Sequence, residues 1–288
     1  MKRLAGRYHR VWDRIARCFC DAVYPLKCLN CDLLFKRPPV TRTPDRSGQI
    51  VHDPKAPYTE TMPAQLSSWI CPRCLNAIQP IVSPKCSCCG LPFAGRQGED
   101  HLCGNCHETP PVYGRACASG VYAGALRAAI HVYKYHGNFC LSKPLGRLLF
   151  WTYTHQYTHR HIDCIVPVPL HRKRLRTRGF NQSDLLVAEW PGLFSGVGDG
   201  LAEIPIYNDL IVRHRHTMPQ QGLNRKERQR NIRDAFRIHA ARRIEKKHVL
   251  LVDDVYTTGA TLNECARVLF GNGALDVDVI TLARVAAP

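Results

Sequence analysis

The chain has 288 residues, a length that holds one large domain or two of unequal size. Apolar residues make up 45% of it, ample for a core, and the formal charge of +17 favours polyanionic partners such as phosphorylated ligands, nucleic acid or anionic lipid. No apolar stretch approaches the roughly 20 residues that span a bilayer, so no transmembrane segment is predicted.

Residues 1–24 are predicted to form an amphipathic helix. Apolar side chains recur at helical spacing from Leu4 to Val23, and the opposite face is basic. The segment lacks the continuous apolar stretch and cleavage site of a secretory signal. A helix lying on a membrane surface would show this pattern, but docking onto the rest of the protein is favoured, and the chain is expected to be cytoplasmic.

Residues 25–110 carry four pairs of cysteines in Cys-x-x-Cys spacing. The pairs are Cys28/Cys31, Cys71/Cys74, Cys86/Cys89 and Cys103/Cys106. Two thiolates at this spacing turn toward one tetrahedral ion, so four pairs predict two structural zinc sites. Either the middle pairs share one ion and the outer pairs the other, or alternate pairs interleave. Redox-active thiols are the alternative interpretation.

Other cysteines and histidines are not expected to bind metal. Cys88 lies inside the third pair, and His101 and His107 flank the fourth. Cysteines in apolar contexts are predicted to be packing residues. These are Cys117, Cys140, Cys164 and Cys265.

The stretch between the first two cysteine pairs is rich in Pro, Thr and charge. It has little apolar periodicity over residues 37–68, so it is predicted to be a loop or disordered insertion, with bounds of about 36–68.

Strands and helices alternate from residue 111 to residue 288, a pattern that predicts a parallel α/β sheet. In chain order the predicted elements are strand Cys117–Tyr122, helices Ala125–Tyr135 and Pro144–Tyr157, strand Asp163–Val168, helix Phe180–Glu189, strand Leu210–Arg213, helix Arg225–Ile232, strand Val249–Val252, helix Thr261–Phe270 and strand Val277–Arg284.

The most informative motif begins at the strand Val249–Val252. Two carboxylates, Asp253 and Asp254, follow the strand, and a Thr/Gly-rich turn leads into a helix. Free N–H groups at a helix start hold phosphate, and paired carboxylates accept hydrogen bonds from vicinal hydroxyls. The simplest ligand that satisfies both halves is a ribose 5-phosphate.

This motif resembles the 5-phosphoribosyl-1-pyrophosphate (PRPP) motif of type I phosphoribosyltransferases. The resemblance implies a parallel sheet with helices on both faces. It also implies that Asp253 and Asp254 take the ribose hydroxyls, and that a five-residue loop wraps the 5-phosphate. The loop residues are Thr257, Thr258, Gly259, Ala260 and Thr261.

Four further segments narrow the resemblance. They are Lys134-Tyr135-His136-Gly137, the run from Pro167 through the basic residues to Gln182, the run from Arg213 to Leu223, and Arg228 to Asn231. Together with the cysteine pairs they resemble the ComF family of bacterial competence-associated proteins. These proteins join a zinc-finger domain to a phosphoribosyltransferase-like domain, here predicted at residues 111–288.

The resemblance also implies a site for the diphosphate of PRPP, with Mg²⁺ if the protein is an active transferase. The diphosphate would be neutralised by Lys134 or by the basic loop that follows the strand ending at Val168. The basic residues of that loop are Arg172, Lys173, Arg174, Arg176 and Arg178. Purine-salvage enzymes have an acid three residues after the second motif carboxylate, where this chain has Thr257, so a purine acceptor is disfavoured.

The basic residues exceed what one diphosphate requires. Five Lys/Arg lie from Arg172 to Arg178 and seven from Arg213 to Arg233, which favours single-stranded DNA as a partner. Base stacking would need exposed aromatic residues such as Tyr135, Phe180 or Tyr256.

The predicted function is a role in DNA uptake during natural transformation, and the resemblance implies competence helicase or recombination proteins as partners. An active phosphoribosyltransferase on a nucleobase or amine is the alternative, and a zinc-stabilised adaptor is a third hypothesis. The motif Asp253-Asp254 weighs against the adaptor.

Overall fold

The computed structural model describes residues 26–36, 63–95, 97–135, 139–157, 159–195, 203–215, 217, 224–239 and 243–286. The predicted N-terminal helix and residues 37–62 of the predicted insertion lie outside these ranges. Among the described helices, none combines the length and the apolar character that a bilayer crossing requires.

The described strands and helices follow one another in this order: β1 (Leu26–Lys27), β2 (Leu34–Phe35), α1 (Pro72–Asn76), α2 (Gly104–Glu108), β3 (Ala116–Val121), α3 (Gly124–Tyr135), α4 (Ser142–Gln156), β4 (Cys164–Pro167), α5 (Arg172–Arg178), α6 (Gln182–Val187), α7 (Trp190–Phe194), β5 (Ile211–Arg213), α8 (Arg225–Ile232), β6 (Phe236–Ile238), β7 (His248–Tyr256), α9 (Ala260–Phe270) and β8 (Asp276–Arg284). Short 3₁₀ helices form at Pro63–Leu66 and Phe139–Leu141.

Four of these strands form a parallel sheet in the order β3–β8–β7–β4. Alternate residues of β7 enter different cores, as a strand buried on both faces requires. Leu250 packs in one core with Tyr133 of α3, whereas Leu251 packs in the other with Leu262 of α9. The predicted parallel α/β fold with helices on both faces is confirmed.

Strand β7 is longer than its apolar residues predicted. It continues through Asp253 and Asp254 to Tyr256, whereas the predicted strand ended at Val252. Strand β8 runs beside this extension and its register pairs Asp253 with Thr281. The two carboxylates therefore stand on a hydrogen-bonded strand rather than on a free turn.

The strand predicted at Leu210–Arg213 does not join the parallel sheet. As β5 it pairs antiparallel with β6, which sequence reasoning missed. The chain reverses direction between these strands and places the polar helix α8 within the reversal, so β5 has a local partner.

The basic segment after β4, interpreted as a loop, is the helix α5. The His171 side chain accepts a hydrogen bond from Lys173 N (3.2 Å) and caps the N-terminus. Gly179 ends the helix with φ +80°, a left-handed conformation that glycine adopts without steric cost. The helix predicted at Phe180–Glu189 is accordingly shorter, as α6, and α7 follows it.

The end of the predicted insertion is part of the core. Pro63–Leu66 forms a 3₁₀ helix, and both Leu66 and Ile70 are completely buried. The prediction of a loop up to residue 68 is therefore wrong for its last residues.

Candidate functional site

A cavity of about 1190 Å³ opens at the carboxyl ends of β4 and β7. This is where open parallel sheets place their ligands. Ten of the residues predicted for ligand binding line it: Lys134, Lys173, Arg174, Arg178, Asp253, Asp254, Thr257, Gly259, Ala260 and Thr261. Arg172, Arg176 and Thr258 are not part of its lining.

Asp254 forms an ion pair with Lys134 at the wall of the cavity. Lys134 Nζ lies 2.7 Å from Asp254 Oδ1, and the two side chains are only 17% and 12% exposed. Burial alone would lower the pKa of Lys134, but the Asp254 carboxylate outweighs it and the pKa is raised. Lys134 is therefore a fixed cation beside the acidic pair.

Asp253 is held by two hydrogen bonds. Its Oδ1 accepts hydrogen bonds from Ser183 Oγ (3.2 Å) and from Asp254 N (2.9 Å). Burial, and then the neighbouring Asp254 charge, raises the pKa of Asp253 to about 7. Asp253 therefore keeps its proton to a higher pH than an ordinary aspartate does.

The predicted phosphate loop ends at the N-terminus of α9. Gly259 has φ +76°, and its carbonyl oxygen accepts the first hydrogen bond of the helix from Asn263 N (2.8 Å). A Cβ at Gly259 would lie 2.3 Å from Tyr256 Oη, so any other residue would force the loop or the ring to move. Thr258 Oγ1 is 3.5 Å from Ala260 N, and this threonine faces a small second pocket on the other side of the loop.

The lining of the cavity also includes basic residues. Arg213 lines it and is 6% exposed, with its guanidinium 5.4 Å from the Phe236 ring centre. Burial, and then Arg174 nearby, lowers the pKa of Arg213 to about 10. No carboxylate forms an ion pair with Arg213 among the residues that the structure describes. A buried cation of this kind suits an anionic ligand.

Two aromatic side chains are exposed beside the cavity. Tyr135 is 61% exposed and carries Arg178 over its ring at 5.2 Å, and Phe139 is 53% exposed. Phe180 and Tyr256, which the sequence offered for base stacking, are buried at 7% and 5% exposure. The expectation of exposed rings is therefore wrong for these two, because both pack in the cores.

The eight paired cysteines form two groups of four, Cys28/Cys31/Cys71/Cys74 and Cys86/Cys89/Cys103/Cys106. Within each group the Sγ atoms lie within 4.8 Å of one another, which fits a tetrahedral ion bound by thiolates. Both pairings considered from the sequence are wrong, because consecutive pairs combine. Contacts between the pairs show how they meet: Cys71 N donates to Cys28 Sγ (3.4 Å), and Cys103 N donates to Cys86 Sγ (3.3 Å).

In the described part of the chain, the other cysteines and histidines stay outside the two groups. Cys88 is not a member of either, and the His101 ring stacks on Phe93 at 4.1 Å. Cys117, Cys164 and Cys265 are buried as predicted, but Cys140 is exposed, so its assignment as a packing residue is wrong.

Comparison with known proteins identifies the family. The phosphoribosyl transferase domain matches residues 199–288. Competence protein F of Haemophilus influenzae is 31% identical over 233 residues, covering 74% of this chain and 96% of that protein. The chain belongs to the ComF family. DNA utilization protein YhgH of Escherichia coli K12 is 35% identical (77% and 94% covered), and Competence protein ComFC of Streptococcus pneumoniae is 30% identical (74% and 80% covered).

Three features of this ComF-family site were not predicted from sequence. Ser183 bonds to Asp253, Arg213 is a buried cation of the cavity wall, and Arg284 of β8 donates to the main chain of Thr257. Ser183 directly follows a segment that carried the family resemblance, so its position was a usable signal. Arg284 lies at the end of an apolar strand, and nothing in its local sequence marks its contact.

Proposed function

We propose that this ComF-family protein acts in DNA uptake or utilisation, binding PRPP or a related ribose phosphate in the cavity and single-stranded DNA on the basic surface beside it. The observation that carries the proposal is that acidic and basic residues line the same cavity. Asp253 and Asp254 line it together with residues of the loop at the start of α9, and Arg174, Arg178 and Arg213 line the same cavity. The relatives named for competence and DNA utilization support the biological role.

The ribose phosphate is supported by the chemistry of the acidic wall. Carboxylates of Asp253 and Asp254 accept hydrogen bonds from the ribose hydroxyls, and the N–H groups from Thr258 to Thr261 face the 5-phosphate with the dipole of α9 behind them. Lys134, already bound to Asp254, supplies positive charge close to the sugar. When PRPP is the ligand, Mg²⁺ on its diphosphate would reduce the repulsion between the diphosphate and these carboxylates.

Single-stranded DNA is supported by charge and by the two exposed rings. Helix α5 carries five basic residues in seven positions, and those that do not line the cavity remain available to a nucleic-acid backbone. Tyr135 and Phe139 present ring faces of the kind on which bases stack. Arg178 joins the two features because it lies over Tyr135 and also lines the cavity.

Zinc is the metal proposed for both cysteine groups. Four thiolates in each group, with no carboxylate among them, form a structural site rather than a catalytic one. Such thiolates persist in a reducing compartment, which supports action in the cytoplasm.

An active phosphoribosyltransferase is a second candidate, favoured by one observation. The pKa of Asp253, about 7, suits a group that exchanges a proton with an acceptor base or amine. Diphosphate release from PRPP in the presence of candidate bases and amines tests this activity. If no candidate acceptor raises the rate of diphosphate release by wild type above that of the Asp253→Asn variant, the protein is not an active phosphoribosyltransferase on these acceptors.

Calorimetry with PRPP and Mg²⁺ tests the binding proposal, using wild type and Asp253→Ala. We expect wild type to give a binding isotherm and the variant to lose most of the heat. Equal heats from both proteins would contradict the ribose assignment.

Fluorescence anisotropy with a labelled oligonucleotide tests the DNA proposal. Affinity should fall as salt increases, because phosphate contacts release counterions. Arg174→Ala should weaken both ligands since Arg174 lines the cavity, whereas Arg176→Ala should weaken DNA alone. Arg127→Ala, an exposed arginine of α3 outside the lining, is the control. Affinity that does not depend on salt would contradict a DNA site of this kind.

A further inference from the structure

One arginine, Arg284, contacts both the second cysteine group (Cys86/Cys89/Cys103/Cys106) and the phosphate loop (residues 257–261). Arg284, the last residue of β8, is 8% exposed. Its Nε donates to the carbonyl oxygen of Cys89 (3.1 Å), and one terminal nitrogen lies 3.5 Å from Cys89 Sγ. The other terminal nitrogen donates to the carbonyl oxygens of Thr257 (2.9 Å) and Val285 (2.7 Å).

The charge of Arg284 is matched by the cysteine group rather than by an acid. No ion pair joins Arg284 to a carboxylate within the described part of the chain, and a buried guanidinium without a counter-charge is costly. Four thiolates around one divalent ion keep a net charge of about −2. The contact with Cys89 Sγ therefore gives both the guanidinium and the metal site the partner each lacks.

The same guanidinium fixes the loop through Tyr256. It lies 4.1 Å from the centre of the Tyr256 ring, and Tyr113 Oη is 2.5 Å from Tyr256 Oη. The ring held in this way occupies the space next to Gly259. Arg284 thus contacts the loop in two ways. It donates a hydrogen bond to Thr257, the first loop residue, and it holds the Tyr256 ring that packs against Gly259.

Among the described residues, no arginine connects the first cysteine group to the phosphate loop in this way. The buried members of this group pack in the core on the other face of the sheet, with residues of α3 and α4, while the second group packs with Tyr256, Ala260 and Leu262. Its outer contact is Asn30 Nδ2, which donates to Cys74 Sγ at 3.3 Å. Asn30 is far in sequence from every residue of the cavity.

We infer that Arg284 is a positioning residue that makes the shape of the phosphate loop depend on the metal in the second cysteine group. Metal bound there fixes Cys89, Cys89 orients Arg284, and Arg284 holds Thr257 and Tyr256. Metal in the first group supports the fold without this effect. The consequence for ligand binding rests on the proposed function, but the effect on the loop does not.

Hydrogen exchange of the Asn263 amide tests the inference without any ligand, because this N–H donates to the loop carbonyl oxygen of Gly259 (2.8 Å) and is protected while the loop keeps its shape. We expect Arg284→Gln to speed this loop exchange by roughly tenfold and to release one of two zinc ions to a chelating dye about tenfold faster, as losses of outer contacts at metal sites commonly do. Asn30→Ala, the matched variant at the first group, should also release one ion faster but leave loop exchange unchanged.

Arg284→Lys separates charge from geometry and serves if Arg284→Gln does not fold. A lysine keeps the cation beside Cys89 but cannot bond Cys89 and Thr257 together. We expect nearly normal zinc retention with fast loop exchange. Wild-type loop exchange in both Arg284 variants, or equal acceleration in Asn30→Ala, would overturn the inference.

Calorimetry with ribose 5-phosphate then connects the loop to binding. Arg284→Gln should weaken affinity by at least about fivefold, the effect of one lost polar contact, and Asn30→Ala should not. If wild type itself fails to bind, the proposed function fails, whereas the hydrogen-exchange result still decides the role of Arg284.

Discussion

Lys134 Nζ lies 2.7 Å from Asp254 Oδ1, and this ion pair closes off one of the two carboxylates that face the cavity. The pair is largely removed from solvent, so each charge depends on the other for its stability. A ligand whose hydroxyls bind Asp254 must share this carboxylate with Lys134. Lys134 therefore stabilises the Asp254 carboxylate and also offsets its negative charge where a ligand would bind.

Replacing Lys134 by methionine should lower the free energy of unfolding by about 2–3 kcal/mol, because Asp254 is left buried without its partner. Methionine keeps most of the aliphatic stem, so lost packing contributes little. Urea denaturation measures the change. The control is Lys143→Met, whose ion pair with Glu189 is 69% exposed on the lysine side and should contribute less than about 1 kcal/mol. Equal losses in the free energy of unfolding would show that the buried Lys134–Asp254 pair stabilises the protein no more than the exposed Lys143–Glu189 pair does.

Removing both charges should cost less than removing one. Asp254→Asn alone leaves Lys134 buried without its ion-pair partner, whereas the double variant, Lys134→Met with Asp254→Asn, removes both charges of the pair. We therefore expect the double variant to be more stable than the sum of the single changes predicts, by about 1 kcal/mol or more. Strict additivity in urea denaturation would contradict a direct interaction.

Asp253→Asn should raise thermal stability, and increasingly so as the pH rises. The pKa of Asp253 is raised to about 7 in the folded protein from an ordinary value of 3.8. Between these values the folded state binds more protons than the unfolded state, so wild-type stability falls as pH rises through this window. At pH 8 the variant should be more stable by about 1–2 kcal/mol, a magnitude discounted for partial solvent contact.

Differential scanning fluorimetry from pH 5 to pH 8 measures this difference. The two proteins should converge at the acidic end, where Asp253 is protonated and resembles asparagine in charge. A constant difference across the range would instead point to packing. A stability gain combined with lost ribose phosphate affinity would identify Asp253 as a residue kept for binding at the expense of stability.

The sheet and the acidic motif were predictable because their signals are local. Apolar runs such as Val249–Val252 and the helical spacing from Leu262 to Phe270 need no distant partner to be recognised. The extension of β7 to Tyr256 was not predictable in this way, since it depends on β8 running beside it. Likewise β5 has its strand partner 25 residues further along the chain.

The cysteine pairing and the Arg284 contact are decided by tertiary structure. Cys-x-x-Cys spacing fixes which thiolates share a turn, but not which turns meet. Arg284 lies 195 residues from Cys89, and only the packing of β8 against the second group brings them together. Basic residues on α5 were read as one cluster, yet the helix divides them between cavity and surface.

Metal analysis should give two zinc ions per chain, and paired substitutions test which cysteines share an ion. Cys31→Ser with Cys74→Ser should leave one ion, because both residues belong to the first group. Cys31→Ser with Cys103→Ser should leave none tightly bound, because each group loses a ligand. One ion retained by the second double variant would mean that the groups are wrongly assigned.

Gly259→Ala should abolish ribose 5-phosphate binding and destabilise the protein. The substitution places a side chain at φ +76° and drives its Cβ to 2.3 Å from Tyr256 Oη, so either the loop or the Tyr256 ring must move. We expect a loss of at least about 2–3 kcal/mol in the free energy of unfolding, from backbone strain plus overpacking.

The matched control for Gly259→Ala is Gly179→Ala, because Gly179 has a similar φ of +80° but an added Cβ would meet no atom within 4 Å. This change should cost only the strain, about 1 kcal/mol. Urea denaturation of both variants separates strain from collision. If the two substitutions cost the same, Tyr256 does not constrain the loop; a larger loss for Gly259→Ala means that the ring beneath the loop determines which residue can occupy its turn.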